Sequence, residues 1–116
     1  MPQYAVLIWA ADSAHAPEAT SDDLAESDEH AARLRETGTM TAAYAFTPRE
    51  HAVSIRAEGV TPGPFVDAEQ AIAGLFVLEA PDLDTALELA ASTPAVRSGG
   101  GVEVRPIHSG GPVEAG

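Results

Sequence analysis

Two apolar runs of strand length fix what this chain can fold into. Tyr4-Ala5-Val6-Leu7-Ile8-Trp9-Ala10-Ala11 is continuously apolar and far too short to span a bilayer. Ile72 to Ala80 is a second such run. In both, side chains on alternate positions are apolar. In the second, Leu75 and Val77 fall on one face and Phe76 and Leu78 on the other. Each run therefore predicts a central strand covered on both faces.

The rest of the chain is read around these two strands. Ser21-Asp22-Asp23 marks a helix start, because acids suit the positive end of the dipole. That helix should run to about Thr37, with Gly38 just past its end. Leu24, Ala31 and Leu34 mark its inner face. Thr39 to Phe46 predicts a strand, and Ala52 to Arg56 a half-buried strand. Thr61-Pro62-Gly63-Pro64 is excluded from any central ladder, since proline has no N–H to donate. Asp67 to Gln70 reads as a single helical turn. Pro81-Asp82 opens a second helix, with Leu83, Ala86, Leu87 and Ala90 at amphipathic spacing. Thr93-Pro94 ends it, and Val102 to Ile107 predicts a last strand. Ser109 to Gly116 reads as a flexible tail, leaving a single domain over residues 1–108.

Strand, helix, strand, strand, strand, helix, strand is an α+β order. It predicts a ferredoxin-like sandwich, an antiparallel sheet with both helices on one face. The other face would be bare, and at 116 residues a homodimer is the expected cover.

Charge removes several function classes. Asp and Glu number 18 against six Arg and no Lys, a formal net charge of -12. Such a surface repels phosphate backbones and anionic membranes, so neither nucleic acid nor membrane is an expected partner. Without lysine there is no Schiff-base chemistry. Without cysteine there is no thiol nucleophile or disulfide. The start, Met1-Pro2-Gln3-Tyr4, lacks the basic region of a signal peptide, and the chain is read as cytoplasmic.

Four motifs stand in order along the chain. Val60-Thr61-Pro62-Gly63-Pro64-Phe65 resembles the V-T-D-G-P-F signature of the YCII-related family, also called the DGPF domain. Gly74 to Ala80 follows at the family's distance. Asp82-Leu83-Asp84-Thr85-Ala86 is similar to its D-L-D-E-A helix start, and Val102 to Pro106 to its V-E-V-R-P strand. Upstream, Ala52 to Arg56 is similar to its A-T-T-V-R strand, and His30 to Gly38 to a helix pattern with His, Leu and Gly. The resemblance reaches to about His108. It implies a dimeric α/β-barrel fold. A dehydrochlorinase of a chlorinated hydroxyhydroquinone is similar, and the same fold class hosts lactone isomerases and cofactor-free oxygenases. Two positions depart from the family pattern: Pro62 replaces the signature Asp, and Thr93 replaces an Asp that is frequent after the second helix.

His30 is the leading site candidate. It lies four residues before Leu34, at the edge of the inner helix face, and the resemblance places a pocket-facing His there. Imidazole exchanges protons near neutral pH, which suits a general acid/base. The competing reading is a boundary histidine on an acidic helix. His15, in the loop after the first strand, and His51, before the third, are expected to assist, although solvated loop histidines are commoner. His108 falls where the fold should end. No two histidines stand at i, i+4, and no metal site is expected.

Arg56, Trp9, Phe65 and Tyr44 are the substrate-binding candidates. An arginine in an acidic protein suits a carboxylate or phenolate. The competing reading gives Arg56 and Arg105 cross-strand ion pairs, Glu103 being the partner for one of them. Strand aromatics such as Phe46 and Phe76 are more often core. These residues point to a small cofactor-free enzyme. It would move protons on a small hydrophobic or aromatic metabolite by isomerisation, elimination or cyclisation. The alternative is a non-catalytic dimeric ligand-binding or accessory module.

Overall fold

The computed structural model describes residues 1–12, 21–111 and 113, except for the side chains of 21–24, 26 and 27. Strand β1 (Gln3–Ala10) is followed by helix α1 (Ser21–Glu36), β2 (Met40–Ala45), β3 (Val53–Arg56), β4 (Gly59–Pro62), β5 (Ala71–Glu79), helix α2 (Leu83–Ala91) and β6 (Gly101–Pro106). Short 3-10 turns lie at Arg49–His51 and Pro94–Val96.

Four strands form one antiparallel sheet in the order β2-β5-β1-β6. The two apolar runs are its central pair, with Val6 opposite Phe76 and Tyr4 opposite Leu78. This is an α+β fold compatible with the ferredoxin-like sandwich. Both helices cover the same face, where Val6, Phe76 and Leu78 of the sheet meet Leu34 of α1 and Ala90 of α2 in one cluster. Val6 and Leu78 are wholly buried. Tyr4, Ala80 and Ala86 form a smaller cluster beside it.

The helix ends follow from local chemistry. Gly38 takes φ 71° after α1, a left-handed conformation that glycine adopts without a Cβ penalty. Asp82 caps α2, its Oδ1 accepting from the Thr85 N–H at 2.8 Å. Gly100 permits a close approach: a Cβ there would lie 2.2 Å from the Trp9 carbonyl oxygen.

Four expectations change. Leu75, Val77, Ala5, Leu7 and Trp9 alternate with the core residues and face away from both helices, so one chain covers only one sheet face. The segment expected as a half-buried strand, now β3, pairs with β4 in a separate ribbon, and Val53 and Ile55 are exposed. It has no helix beneath it. The proline-rich segment is outside the central ladder, with Thr61 and Pro62 ending β4. Asp67 to Gln70 forms no helical turn. In α2 the buried positions are Ala86 and Ala90, whereas Leu83 and Leu87 are exposed. Small side chains let the helix lie close on the sheet, and the larger ones are pushed to its flank.

The connection into β5 is held by one side chain. Arg49 donates from Nη1 to the Ala11 and Glu69 carbonyls and from Nη2 to the Ala68 carbonyl, at 2.7 to 3.1 Å. Its backbone N–H donates to Asp12 Oδ1 at 2.8 Å. Five donors in a planar fork suit this three-carbonyl task, which a lysine would not perform.

Leu78→Ala removes a fully buried side chain from the central strand. It should cost about 3 kcal/mol, read as a lower denaturant midpoint at unchanged slope. Gly100→Ala should also destabilise, because its Cβ meets backbone rather than a side chain able to move aside.

Candidate functional site

α1 carries 16 residues and turns His30 and Leu34 onto one side. Its opposite side is charged: Asp28, Glu29, Arg33 and Arg35 are exposed. His30 is not a boundary residue, being only 5% exposed. Its ring meets Phe76 of β5 edge to face, with centroids 5.6 Å apart and planes at 69°. The imidazole thus sits over the central sheet, against an apolar wall.

Its Nε2 is enclosed and has no hydrogen-bond partner among the described residues. Burial lowers the pKa of His30 from its ordinary value, and the positive charges of Arg33 and Arg97 lower it further. The physical sense is direct. A buried imidazolium would lack both water and a counter-charge, so the neutral ring is favoured.

Thr93 is the second buried polar residue of this region, at 3% exposure. Its Oγ1 is also enclosed and without a partner among the described residues. Thr93 stands at the N-cap of the 3-10 turn Pro94–Val96, but its hydroxyl makes no capping bond. That turn packs against α1, and Arg97 at its end acts electrostatically on His30. The described residues thus include two buried polar groups without partners, the His30 imidazole on α1 and the Thr93 hydroxyl just before the turn that packs against α1. An unmade buried hydrogen bond costs about 1–3 kcal/mol, and native proteins carry few of them. The imidazole can take up a proton, and the positive charges of Arg33 and Arg97 favour negative charge near it.

The remaining site candidates lie elsewhere. Trp9 and Tyr44 face the open side of the sheet: Tyr44 is opposite Leu75 and Trp9 opposite Ile72. His30 is on the helix side, so the sheet separates it from both. Arg56 and Phe65 are together, with the guanidinium 3.8 Å from the ring centroid and Nη2 donating to the Phe65 carbonyl at 2.6 Å. Both are exposed and belong to the β3–β4 ribbon and the segment after it. His51 is exposed in the turn Arg49–His51. His15 lies outside the described residues. His108 is exposed beside Ser109, at 3.3 Å. Arg105 pairs with Glu103 at 3.3 Å on the surface, along β6 and not across strands as expected. Among the described residues no group of three or more His, Asp or Glu could hold a metal ion.

An open apolar groove of about 390 Å³ runs between α2 and β6, lined by Leu87, Ala90, Ala91, Val96, Val102 and Val104, with Gly101. Leu87 and Ala91 are on the β6 flank of α2. Leu89, on the other flank, packs with the cluster that includes Leu34 and Ala31 of α1. His30 is not among the residues lining this groove.

Two residues of the His30 region, Thr93 and Arg97, were not among the sequence candidates. Thr93 had a signal, its departure from the Asp that the family resemblance implies there. Arg97 had none, because only the turn after α2 brings its charge toward α1.

The direction of the His30 shift has a consequence for stability. Below the ordinary value of 6.5, the unfolded chain takes a proton that the folded chain resists. Unfolding then takes up protons, so stability rises with pH in that window and falls as pH drops through it. Denaturant unfolding followed at pH 7.5 and again on the acid side of that value should show this loss, and His30→Gln should reduce it. An equal loss in both proteins would assign the acid sensitivity to other groups.

No curated protein matches the chain. A family model described as the YCII-related domain matches residues 3–109 of the 116. The match takes in every strand and both helices, including His30 and Thr93. The chain belongs to the YCII-related family.

Proposed function

We propose that the protein is a small cofactor-free enzyme that moves protons on a small hydrophobic or aromatic metabolite. One observation carries this reading: a histidine buried against Phe76 whose Nε2 has no partner and whose pKa is lowered. A neutral imidazole kept dry is a competent base at neutral pH. Proton abstraction from an enolisable or phenolic substrate leaves an oxyanion. The Thr93 hydroxyl would donate to it, and Arg33 and Arg97 would favour its charge. The protonated ring is destabilised by the same surroundings, so it returns its proton readily. His51 and His15 are assigned no direct step. Arg56 and Phe65 would meet a ligand only at the ribbon, away from His30.

The open sheet face supports a homodimer of the α/β-barrel kind. Ala5, Leu7, Trp9, Ala42, Tyr44, Leu75 and Val77 face away from the helices. The charged neighbours Glu103 and Arg105 pair with one another. A face of this composition is an association surface. No helix among the described residues is long and apolar enough to cross a membrane.

One observation favours the second reading, a ligand-binding or accessory module. The groove between α2 and β6 is apolar and does not include His30. A ligand held there would be indifferent to the imidazole.

Deuterium uptake separates the two. A panel of small aryl 1,3-diketones and phenolic ketones is incubated with the protein in D2O and followed by proton NMR. Catalysed exchange should fall by about 10²-fold or more in His30→Ala. Thr93→Val should slow it less, through loss of the hydroxyl at nearly constant shape. No exchange above background with any probe, or exchange unchanged in His30→Ala, would leave the binding module as the reading. In that case ligands should bind wild type and His30→Ala with equal affinity.

A further inference from the structure

The β3–β4 ribbon pairs with no strand of the main sheet, and one of its faces is wholly apolar. Val53 is opposite Pro62 and Ile55 opposite Val60, so these four side chains share a face. Val53 is 65% exposed, Ile55 73% and Val60 67%. The other face is tied down. Ser54 Oγ donates to the Gly63 carbonyl at 2.8 Å, and Arg56 lies over Phe65 and donates to its carbonyl. The polar face is thus bonded to the segment that follows β4, and the apolar face is outward. A lone two-stranded hairpin is marginal in water, and an exposed apolar face of this kind marks an interaction surface.

We infer that this ribbon is a dimerisation arm, whose Val53, Ile55, Val60 and Pro62 face closes on a second copy of this chain. The inference rests on the homodimer reading of the open sheet face. Charge selects the occupant. Two copies each carrying a net charge of -12 repel one another except where their surfaces are locally neutral. The arm's apolar face carries no charge, and its only charged residues, Arg56 and Glu58, cancel. The open sheet face carries Glu79 at the end of β5 and the mutually paired Glu103 and Arg105 on β6. The arm and this face are thus lightly charged areas that a like-charged copy can approach.

Area points the same way. Four strands about 4.8 Å apart, and six to nine residues long, give a sheet face on the order of 450 Å² in flat projection. A stable interface buries about 800 Å² per partner. The arm adds further apolar surface to that face. The two are linked along the chain. Tyr44 of the open face and Phe46 after it are exposed, 62% and 38%, and the chain then passes through the turn Arg49–His51 into β3.

Sedimentation velocity over a dilution series of the full chain tests this. Three variants are compared: Ile55→Asp and Val60→Thr in the arm, and Tyr44→Asp on the open sheet face. Wild type should be a dimer, and Ile55→Asp and Tyr44→Asp should each raise Kd about tenfold or more. Val60→Thr keeps the shape and exchanges a methyl for a hydroxyl, so it should weaken association while keeping the fold if Ile55→Asp does not. Far-ultraviolet circular dichroism reports folding independently of the interface. A dimer weakened by Tyr44→Asp but unchanged by both arm variants would overturn the arm and leave the open-face dimer standing. A wild-type monomer at every concentration would overturn both. A dimer sensitive to the arm alone would overturn the open-face reading on which the arm depends.

Discussion

The antiparallel pairing of β1 with β5 is the constraint on which the rest of the structure depends. Both strands are apolar on both faces, so their pairing creates two apolar surfaces at once. The two helices of one chain cover one of them, burying Val6, Phe76 and Leu78. β2 and β6 then fill the edges and complete the four-stranded sheet. The second surface is left by topology, because both crossovers from strand to helix return to the same side. Everything proposed about association follows from that imbalance.

The same covered face creates the chemical environment of His30. A histidine one turn before Leu34 is carried by the helix onto the core, where Phe76 forms its wall. Helix geometry leaves no choice about burial once Leu34 is seated. What is unusual is the absence of a partner on Nε2 among the described residues. A carboxylate in its place would hold the imidazolium and raise the pKa. With Thr93 nearby along the turn and two arginines acting on the ring, the field runs the other way. The chain therefore keeps a buried neutral base, where a charged pair would offer a ready-formed acid.

Much of this was legible from residue pattern. The central strands followed from unbroken apolar runs, α1 from its acidic start and Gly38, and α2 from Asp82 and its spacing. The isolation of the β3–β4 ribbon was not legible, since alternation in Ala52 to Arg56 does not say which sheet, if any, a strand will join. The burial of Ala86 and Ala90 over Leu83 and Leu87 was hidden too. Amphipathic spacing gives a stripe but not its centre, and close packing on the sheet favours the small residues. Among the site candidates, His30 was found because it shares a helix face with core residues. Trp9 and Tyr44 were grouped with it as aromatics, but strand parity places them across the sheet.

By itself the sequence determined the four strands of the main sheet, both helices, their order and the family, but not β4. Apolar period, capping residues and motif order are local properties, readable without knowing what packs on what. It placed His30 at the edge of the inner helix face, with a boundary position as the competing reading. Only the tertiary structure decided that this histidine is enclosed without a partner, that Thr93 and Arg97 belong to its surroundings, and that one apolar sheet face stays open. Those depend on contacts between residues distant in sequence, whose free energies are set by burial and by charge in a dry interior.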